Sequence, residues 1–126
     1  MNKLAGVHPS LVDAVDRILM AMRELGFVMV VTDGLRTTEQ QVALYAQGRT
    51  APGDIVTQAD GVLRRSNHQL HEDGYGHAVD MCFLVAGAPS WADRHPWRAY
   101  GEMAKALGLT WGGDWKTPDR PHLELP

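Results

Sequence analysis

Two short apolar runs, FVMVVT at 27–32 and AVDMCFLV at 78–85, are the segments that most limit how this 126-residue chain can fold. Both are shorter than a typical helix, and the first is rich in β-branched residues, which predicts buried strands. The first leads into the turn-forming pair Asp33-Gly34. The second contains Asp80, whose carboxylate would be costly to bury without a cation or hydrogen-bond donors as partners.

Three amphipathic segments predict helices that accompany these strands. Apolar residues recur at spacings of three and four over 11–25, directly after Ser10, which we interpret as the N-cap. A second helix is predicted from Thr37, which stands three residues before Gln40 in a capping-box arrangement. The third covers 97–107, where large apolar residues again recur at helical spacing.

The rest of the chain contains one long irregular segment and two short strand-like segments. Residues 49–75 have no sustained period and are interrupted by proline and glycines, which is uncommon in a small domain unless the loop is functional. LTWGG and PHLEL flank the loop DWKTPDR and read as short strands. Too few βαβ units are present for a wound parallel sheet, so we predict an α+β fold, with a single domain over 1–126.

The composition excludes several classes of protein. The net charge is −3 and the basic residues are scattered, so we expect no binding to nucleic acid. Cys82 is the only cysteine, which excludes an intramolecular disulfide and a thiolate-rich zinc site. No stretch reaches the roughly twenty apolar residues of a membrane span or resembles a signal-peptide core, so we expect synthesis in the cytoplasm without membrane insertion.

Candidate metal ligands are concentrated in two places. SNHQLHEDGYGHAVDM, at 66–81, holds three histidines and three carboxylates in sixteen positions. In DRPHLEL, Asp119 precedes His122 by three residues. Catalytic zinc takes three protein ligands of the His or carboxylate type and keeps a fourth position open. A ligand-rich loop before one strand and a ligand at the start of another would converge if the two strands were neighbours.

The order and spacing of these residues resemble the zinc peptidases that include D-Ala-D-Ala carboxypeptidases, vancomycin-resistance dipeptidases and phage L-alanyl-D-glutamate endopeptidases. The pattern is Ser-x-His, then Gly-x-Ala-x-Asp, then a carboxylate three residues before a final His. It reads here Ser66-Asn67-His68, Gly76-His77-Ala78-Val79-Asp80 and Asp119-Arg120-Pro121-His122. The segment GLRTTEQQVALYAQGRTAPGDIVT resembles the part of the phage endolysin branch that contributes a substrate-binding arginine, here Arg36. The resemblance covers roughly residues 27–126 and implies a Hedgehog/DD-peptidase-like fold, a small antiparallel sheet flanked by helices.

The same resemblance implies a role for each matched position. The zinc ligands would be His68, Asp80 and His122. Asp119 would be the general base, which takes a proton from the attacking water and passes it to the leaving amine. Arg36 would bind a substrate carboxylate or stabilise the oxyanion, because its planar donor fork suits either. Ser66 and Gln40 would support substrate binding.

The chain departs from the family pattern at one place. Family members usually have two residues between the His and the Gly of the motif, whereas seven, 69–75, separate His68 from Gly76 here. The insertion contains His71, which could replace His68 as ligand, although only His68 has a serine two positions before it. We interpret His77 as a neighbour of the site rather than a ligand.

Several residues near the motifs admit a second interpretation. Glu124 stands two residues after His122 on the same strand face, which is compatible with a supporting role or with simple exposure. Trp111 and Trp115 could line a substrate groove, but we expect all four tryptophans to lie mostly in the core. Asp119 could be an ordinary turn residue, and the matched arginine an ordinary surface residue.

The motifs and the resemblance together imply a zinc-dependent peptidoglycan peptidase of phage or prophage type, which cleaves the stem peptide between L-Ala and D-Glu. A D-Ala-D-Ala carboxypeptidase is the alternative with the same chemistry. A non-catalytic module, either wall-binding or metal-stabilised, is the alternative from another class. We expect a monomer that reaches the cell wall only after a holin has permeabilised the membrane.

Overall fold

The computed structural model describes residues 2–126, in which helices and strands are interspersed along the chain. The elements, in chain order, are α1 (Pro9–Glu24), β1 (Met29–Asp33), α2 (Thr38–Ala46), β2 (Ala78–Val85), β3 (Ala88–Ser90), α3 (Trp97–Ala106), β4 (Thr110–Trp111) and β5 (His122–Glu124). A short 3₁₀ turn, Gly112–Asp114, follows β4. Among these residues, no helix has both the length and the apolar character needed to cross a membrane.

The five strands form one antiparallel sheet with β2 at its centre. The strand order is β1-β2-β5-β4, and β3 pairs with the far end of β2. Every pairing is antiparallel, and the pairing of β1 with β2 shifts register between Val31 and Asp33. The α+β class and the small antiparallel sheet flanked by helices are therefore confirmed.

The core lies between the sheet and the helices α1 and α3. Its largest fully buried side chains include Leu11, Ile18, Met22, Met81, Tyr100 and Leu123. Two polar groups of core aromatics extend to the loop before β5: the Tyr100 hydroxyl donates to the Pro121 carbonyl at 2.8 Å, and Trp111 Nε1 donates to the Arg120 carbonyl at 2.8 Å. The core thus fixes the backbone that precedes His122.

The helix predictions were correct in position, but the start of α1 was wrong. His8 is the N-cap, and its Nδ1 accepts from the backbone N–H of Ser10 at 3.1 Å. Ser10 lies inside the first turn, because Pro9 has no N–H to be capped and occupies the first helical position. The capping box of α2 is confirmed, since Thr37 and Gln40 exchange both of its hydrogen bonds.

The strand and tryptophan predictions need three corrections. β1 begins at Met29 rather than at 27, because Phe27 closes the end of α1 by donating its N–H to the Met22 carbonyl. The region after β2, for which no strand was predicted, contains the short strand β3. Trp91 and Trp115 are exposed, with 52% and 39% of their surface accessible, so the expectation of a core position was wrong for both.

Two buried glutamines order the long segment between α2 and β2. Gln41 and Gln69 are 0% and 1% exposed. Gln41 Nε2 donates to the Ala59 carbonyl at 2.9 Å, and Gln69 Nε2 donates to the Gly61 carbonyl at 3.0 Å. These side-chain amides donate hydrogen bonds to backbone carbonyls that have no partner in a helix or strand. The segment is therefore ordered without regular secondary structure.

Candidate metal centre

Asp80 lies where three strands meet. On β2 it stands opposite Asp33 of β1 and opposite His122 of β5. Its carboxylate is partly buried, and Oδ1 is fully enclosed without a hydrogen-bond partner among the described residues. Burying a carboxylate oxygen is costly unless a cation compensates it, and the candidates are the imidazole of His122, whose Nδ1 lies 3.3 Å away, and a bound metal ion.

His68 approaches Asp80 from the long loop with a defined ring orientation. Its Nδ1 lies 2.9 Å from the Gly34 carbonyl, which can only accept, so Nδ1 carries the proton. Nε2, the nitrogen that can bind a metal in the neutral ring, lies 3.2 Å from Asp80 Oδ2. The loop backbone is tied in place as well, because the N–H of Arg36 donates to the His68 carbonyl at 2.8 Å.

His122 presents its other ring nitrogen to the same carboxylate. Its Nε2 lies 2.7 Å from Glu124 Oε1, and its Nδ1 lies 3.3 Å from Asp80 Oδ1. Asn67 donates to Glu124 Oε2 at 2.6 Å and so orients the carboxylate that orients the imidazole. Glu124 therefore supports the site, which settles the choice left open by its position in the sequence.

Two separations within the cluster fit the geometry of a tetrahedral zinc ion. Candidate ligand atoms of His68, Asp80 and His122 all lie within 4.8 Å of one another. Two zinc bonds of about 2.0–2.1 Å at a tetrahedral angle place their ligand atoms about 3.3 Å apart. The separations of 3.2 and 3.3 Å from Asp80 to the two imidazoles agree with that value. His71 is outside the cluster, with its ring stacked 3.7 Å from that of His77.

The charges of the cluster are coupled. Burial opposes ionisation of Asp80, but the imidazoles of His122 and His68 hold its pKa well below the usual range. Burial also opposes protonation of His122, yet Asp80 and Glu124 raise its pKa to about 9. Without a metal, His122 is therefore a cation at neutral pH, so a metal ion must displace its proton.

Asp119 lies beside the cluster on the loop before β5. Its Oδ2 is 4.0 Å from His122 Nδ1. Its N–H donates to the Gly112 carbonyl at 2.8 Å, and a Cβ on Gly112 would come within 2.4 Å of the Asp119 carbonyl oxygen, so only glycine permits this approach. Burial, and after it the negative charge of Asp80, raises the pKa of Asp119. A carboxylate with a raised pKa is a better proton acceptor than an exposed one.

Arg36 lies at the edge of the cluster with most of its donors in use. Its Nε and Nη2 donate to Asp33 Oδ2, and its Nη1 donates to Gln41 Oε1 at 2.7 Å. Nη2 also lies 3.8 Å from Asp80 Oδ2. Because Asp33 balances the guanidinium charge, this geometry favours a donor to a carbonyl oxygen over a binding site for a second carboxylate.

The two predicted supporting residues have different surroundings. Ser66 lines the same cavity as the cluster, and its hydroxyl accepts from the N–H of His68 at 3.2 Å. Gln40 does not line that cavity, because its side chain is used in the capping box of α2. The neighbouring Gln41, which no sequence motif singled out, contacts Arg36 instead.

An open cavity of about 600 Å³ lies over the cluster. Its wall includes the three clustered residues, Asp119, Arg36 and the exposed Trp115, whose ring centroid lies 4.9 Å from that of His122. Val56, Thr57, Arg64 and Arg65 of the long loop complete its other side. The cavity therefore brings a candidate metal site, the carboxylate of Asp119 and the guanidinium of Arg36 to one open surface.

Comparisons with known proteins agree with this arrangement. A family model described as D-alanyl-D-alanine carboxypeptidase, one of the M15 peptidases, matches residues 60–125. The chain is 36% identical over 129 residues to the peptidoglycan L-alanyl-D-glutamate endopeptidase CwlK of Bacillus subtilis, and the alignment covers 94% of this chain and 73% of the relative.

Solved structures of peptidoglycan peptidases are similar to this chain. The L-Ala D-Glu endopeptidase ChiX of Serratia marcescens is similar with a TM-score of 0.66 and 31% identity, over 98% of this chain and 84% of that one. A variant of the vancomycin-resistance D,D-pentapeptidase VanY in complex with Zn(II) shares the fold, with a TM-score of 0.63 and 20% identity, over 94% of this chain and 72% of that one. On the family match and the relative that is 36% identical, the chain belongs to the M15 peptidase family.

Proposed function

We propose that the protein is a zinc-dependent peptidase that hydrolyses the L-alanyl-D-glutamyl bond of peptidoglycan stem peptides. The observation that carries this proposal is the cluster of His68, Asp80 and His122 in an open cavity, with the carboxylate of Asp119 beside it. The choice of bond is supported by the two relatives named as L-Ala-D-Glu endopeptidases, which are 36% and 31% identical to this chain.

The residues of the cluster fit zinc by their chemistry. His68 would hold the ion through Nε2 and His122 through Nδ1, because the other nitrogen of each ring is engaged. Asp80 would supply the third ligand, and its buried Oδ1 would gain the partner that it lacks. When bound, zinc would act as a Lewis acid that lowers the pKa of water towards about 7 and polarises a carbonyl.

Asp119 would perform the proton transfers. Its raised pKa suits a group that takes a proton from the attacking water and then gives it to the amine of the D-glutamyl leaving group. The C–N bond breaks as the new C–O bond forms, which leaves an alanyl carboxylate and a free amine. Arg36 retains two of its five N–H groups, and these would donate to the carbonyl oxygen as negative charge develops on it.

The first test is Asp119→Ala. Because the side chain is not among the proposed ligands, the variant should bind one zinc per chain but release no new amino termini from purified peptidoglycan. Asp13→Ala is the control, since Asp13 is an exposed carboxylate of α1 that pairs with Arg17 outside the cavity. Full activity of Asp119→Ala would contradict the role of this residue. Full activity and zinc content of Asp80→Ala would contradict the whole proposal.

A D-Ala-D-Ala carboxypeptidase is the second candidate, because the family model that matches the chain carries that description. The two reactions leave different products: the endopeptidase releases peptides with amino-terminal D-Glu, whereas the carboxypeptidase releases free D-Ala. Mass spectrometry of digested muropeptides separates them. If the protein binds zinc and yields neither product, the non-catalytic module becomes the better hypothesis.

We further propose that the protein acts as an endolysin of a phage or prophage, made in the host cytoplasm and dependent on a holin. The support is the resemblance of the segment that contains Arg36 to the phage endolysin branch. Expression in a bacterial host with and without a holin tests this setting by turbidity. Lysis should follow only when both proteins are present, and equally fast lysis without the holin would contradict the proposal.

A further inference from the structure

We propose that Arg64 binds the free carboxylate of the glutamyl residue in the substrate and makes the protein selective for acidic stem peptides. This inference rests on the proposed function. A glutamyl residue has two carboxyl groups and only one can continue the peptide. The other therefore remains as a negative charge close to the bond that is cleaved, and a selective site needs a cation to receive it.

Among the arginines of the cavity wall, Arg64 is the one whose side chain has no partner within the described residues. Three arginines line the wall: Arg36, Arg64 and Arg65. Arg36 is balanced by Asp33, and Arg65 Nη2 donates to the Leu70 carbonyl at 3.0 Å. The side chain of Arg64 is exposed and makes neither an ion pair nor a hydrogen bond with any residue of the described chain, 2–126.

The backbone that carries Arg64 is held by a single carboxylate. Asp60 Oδ1 accepts from the N–H groups of Val62, Leu63 and Arg64 at 2.9, 2.9 and 3.0 Å. The N–H of Gly61 also donates to the Arg64 carbonyl at 3.0 Å, which closes the turn. These contacts leave the turn few alternative conformations, so that the position of the Arg64 backbone is set before a ligand arrives.

The turn is also anchored to the two buried glutamines. The Gly61 carbonyl accepts from Gln69, the residue after the proposed ligand His68. Gly61 has φ +92°, and a Cβ there would lie 3.1 Å from the side chain of Gln41. The turn therefore packs directly against the glutamine that holds Arg36. These contacts hold the backbone of Arg64 in place relative to His68 and Arg36.

The chemistry of the pair is suited to selection. An arginine fork can bind a carboxylate with two parallel hydrogen bonds. At an exposed rim such a pair contributes up to about 1 kcal/mol, equivalent to about a fivefold preference for the acidic over the uncharged peptide. The uncharged counterpart is the same peptide with its free glutamyl carboxylate converted to a primary amide.

The experiment compares two synthetic peptides. The first is N-acetyl-L-alanyl-D-glutamyl-L-lysine, in which the γ-carboxyl of the glutamyl residue is joined to lysine and its α-carboxylate is free. The second is the same peptide with that α-carboxylate converted to a primary amide. The kcat/KM of the zinc-loaded protein should favour the acid about fivefold, and Arg64→Gln should reduce the ratio to near one. Arg64→Lys should retain part of the preference for the acid, because lysine keeps the positive charge but lacks the paired donors of the guanidinium group. Arg23→Gln is the control, since Arg23 is an exposed arginine of α1 outside the cavity and should keep the full ratio.

Binding of both peptides to Asp119→Ala, measured by calorimetry, separates this inference from the proposed function. Cleavage with a ratio that Arg64→Gln does not change would overturn the inference and leave the function intact. Arg64-dependent binding of the acid without cleavage by the parent protein would support the inference and overturn the function. Absence of both binding and cleavage would overturn both.

Discussion

Each imidazole of the cluster is oriented by a group outside it. The Gly34 carbonyl engages Nδ1 of His68, whereas Glu124 engages Nε2 of His122. The two rings therefore present opposite nitrogens to Asp80. Such outer contacts select the tautomer and raise the basicity of a ligand, and their loss typically reduces metal affinity about 10- to 100-fold.

Glu124→Gln tests this contribution at the scale of one residue. The change removes the negative charge and places an amide where Asn67 donates, so we expect zinc affinity to fall about tenfold. Competition with a chromophoric chelator measures the affinity. Glu102→Gln, a change on the exposed face of α3, should leave it unaltered. An unchanged affinity of Glu124→Gln would show that the carboxylate does not support the ligand.

At the scale of elements, α2 has two functions in adjacent residues. Gln40 completes the capping box at its start, whereas Gln41 faces inward and contacts both Arg36 and the long loop. A nine-residue helix thus positions the guanidinium and the loop that forms the opposite wall of the cavity.

Gln41→Leu should affect both stability and catalysis. The change keeps the volume but leaves buried polar groups without partners, which should reduce the free energy of unfolding by about 2 kcal/mol. The change also removes the hydrogen bond that holds Arg36 in position. We therefore expect a large decrease in kcat and a smaller change in KM. Urea unfolding and steady-state kinetics measure the two effects.

Gln40→Ala is the matched comparison and should cost about 1 kcal/mol of helix capping with little change in kcat/KM. A large loss of kcat/KM in Gln40→Ala would instead support the substrate-binding role that the sequence suggested for that residue. Comparable kinetics in the two variants would contradict the role assigned to Gln41.

The sequence predicted some elements closely because their signals are local. The capping box of α2 depends on two residues three apart, and the apolar run of β2 is continuous. The start of β1 and the strand β3 were missed, because the first depends on where α1 ends and the second on pairing with β2. Neither signal lies within the segment itself.

The same distinction applies to the site. The three clustered residues and Asp119 were identified through the resemblance of their motifs to those of the zinc peptidases. Asp33, Gln41 and Asn67 were not selected, because their roles depend on contacts with Arg36 and Glu124 that the folded chain creates. Asn67 and Glu124 are 57 positions apart, a separation over which no local pattern carries information.

For the whole molecule, the charged cluster predicts how stability depends on pH when metal is removed. The pKa of His122 is about 9 in the folded protein, above its ordinary value of 6.5. The stabilisation that protonated His122 gives the folded state is therefore complete below pH 6.5 and is lost as the pH rises through about 9. Asp80 sets the limit at acidic pH. Because its pKa is lowered in the folded protein, the stability that its ionised carboxylate contributes is lost as the pH falls below 3.8.

Urea unfolding of the chelator-treated protein at about pH 6 and pH 9.5 tests the upper limit. The free energy of unfolding should be lower at the higher pH, and His122→Asn should show a much smaller difference. Zinc affinity should change in the opposite direction and increase with pH until the proton of His122 is gone. Equal pH dependence in the parent protein and in His122→Asn would contradict the assignment.

The position of Asp80 within β2 has a consequence for tolerance to insertions and deletions. Because side chains alternate across a strand, adding or removing one residue between 78 and 83 would exchange Asp80 with Val79 or Met81 and place a carboxylate in the core. The seven residues at 69–75 lie just before that strand, where extra length does not alter its phase. Evolution and protein engineering can therefore change the length of this chain before β2 far more readily than within it.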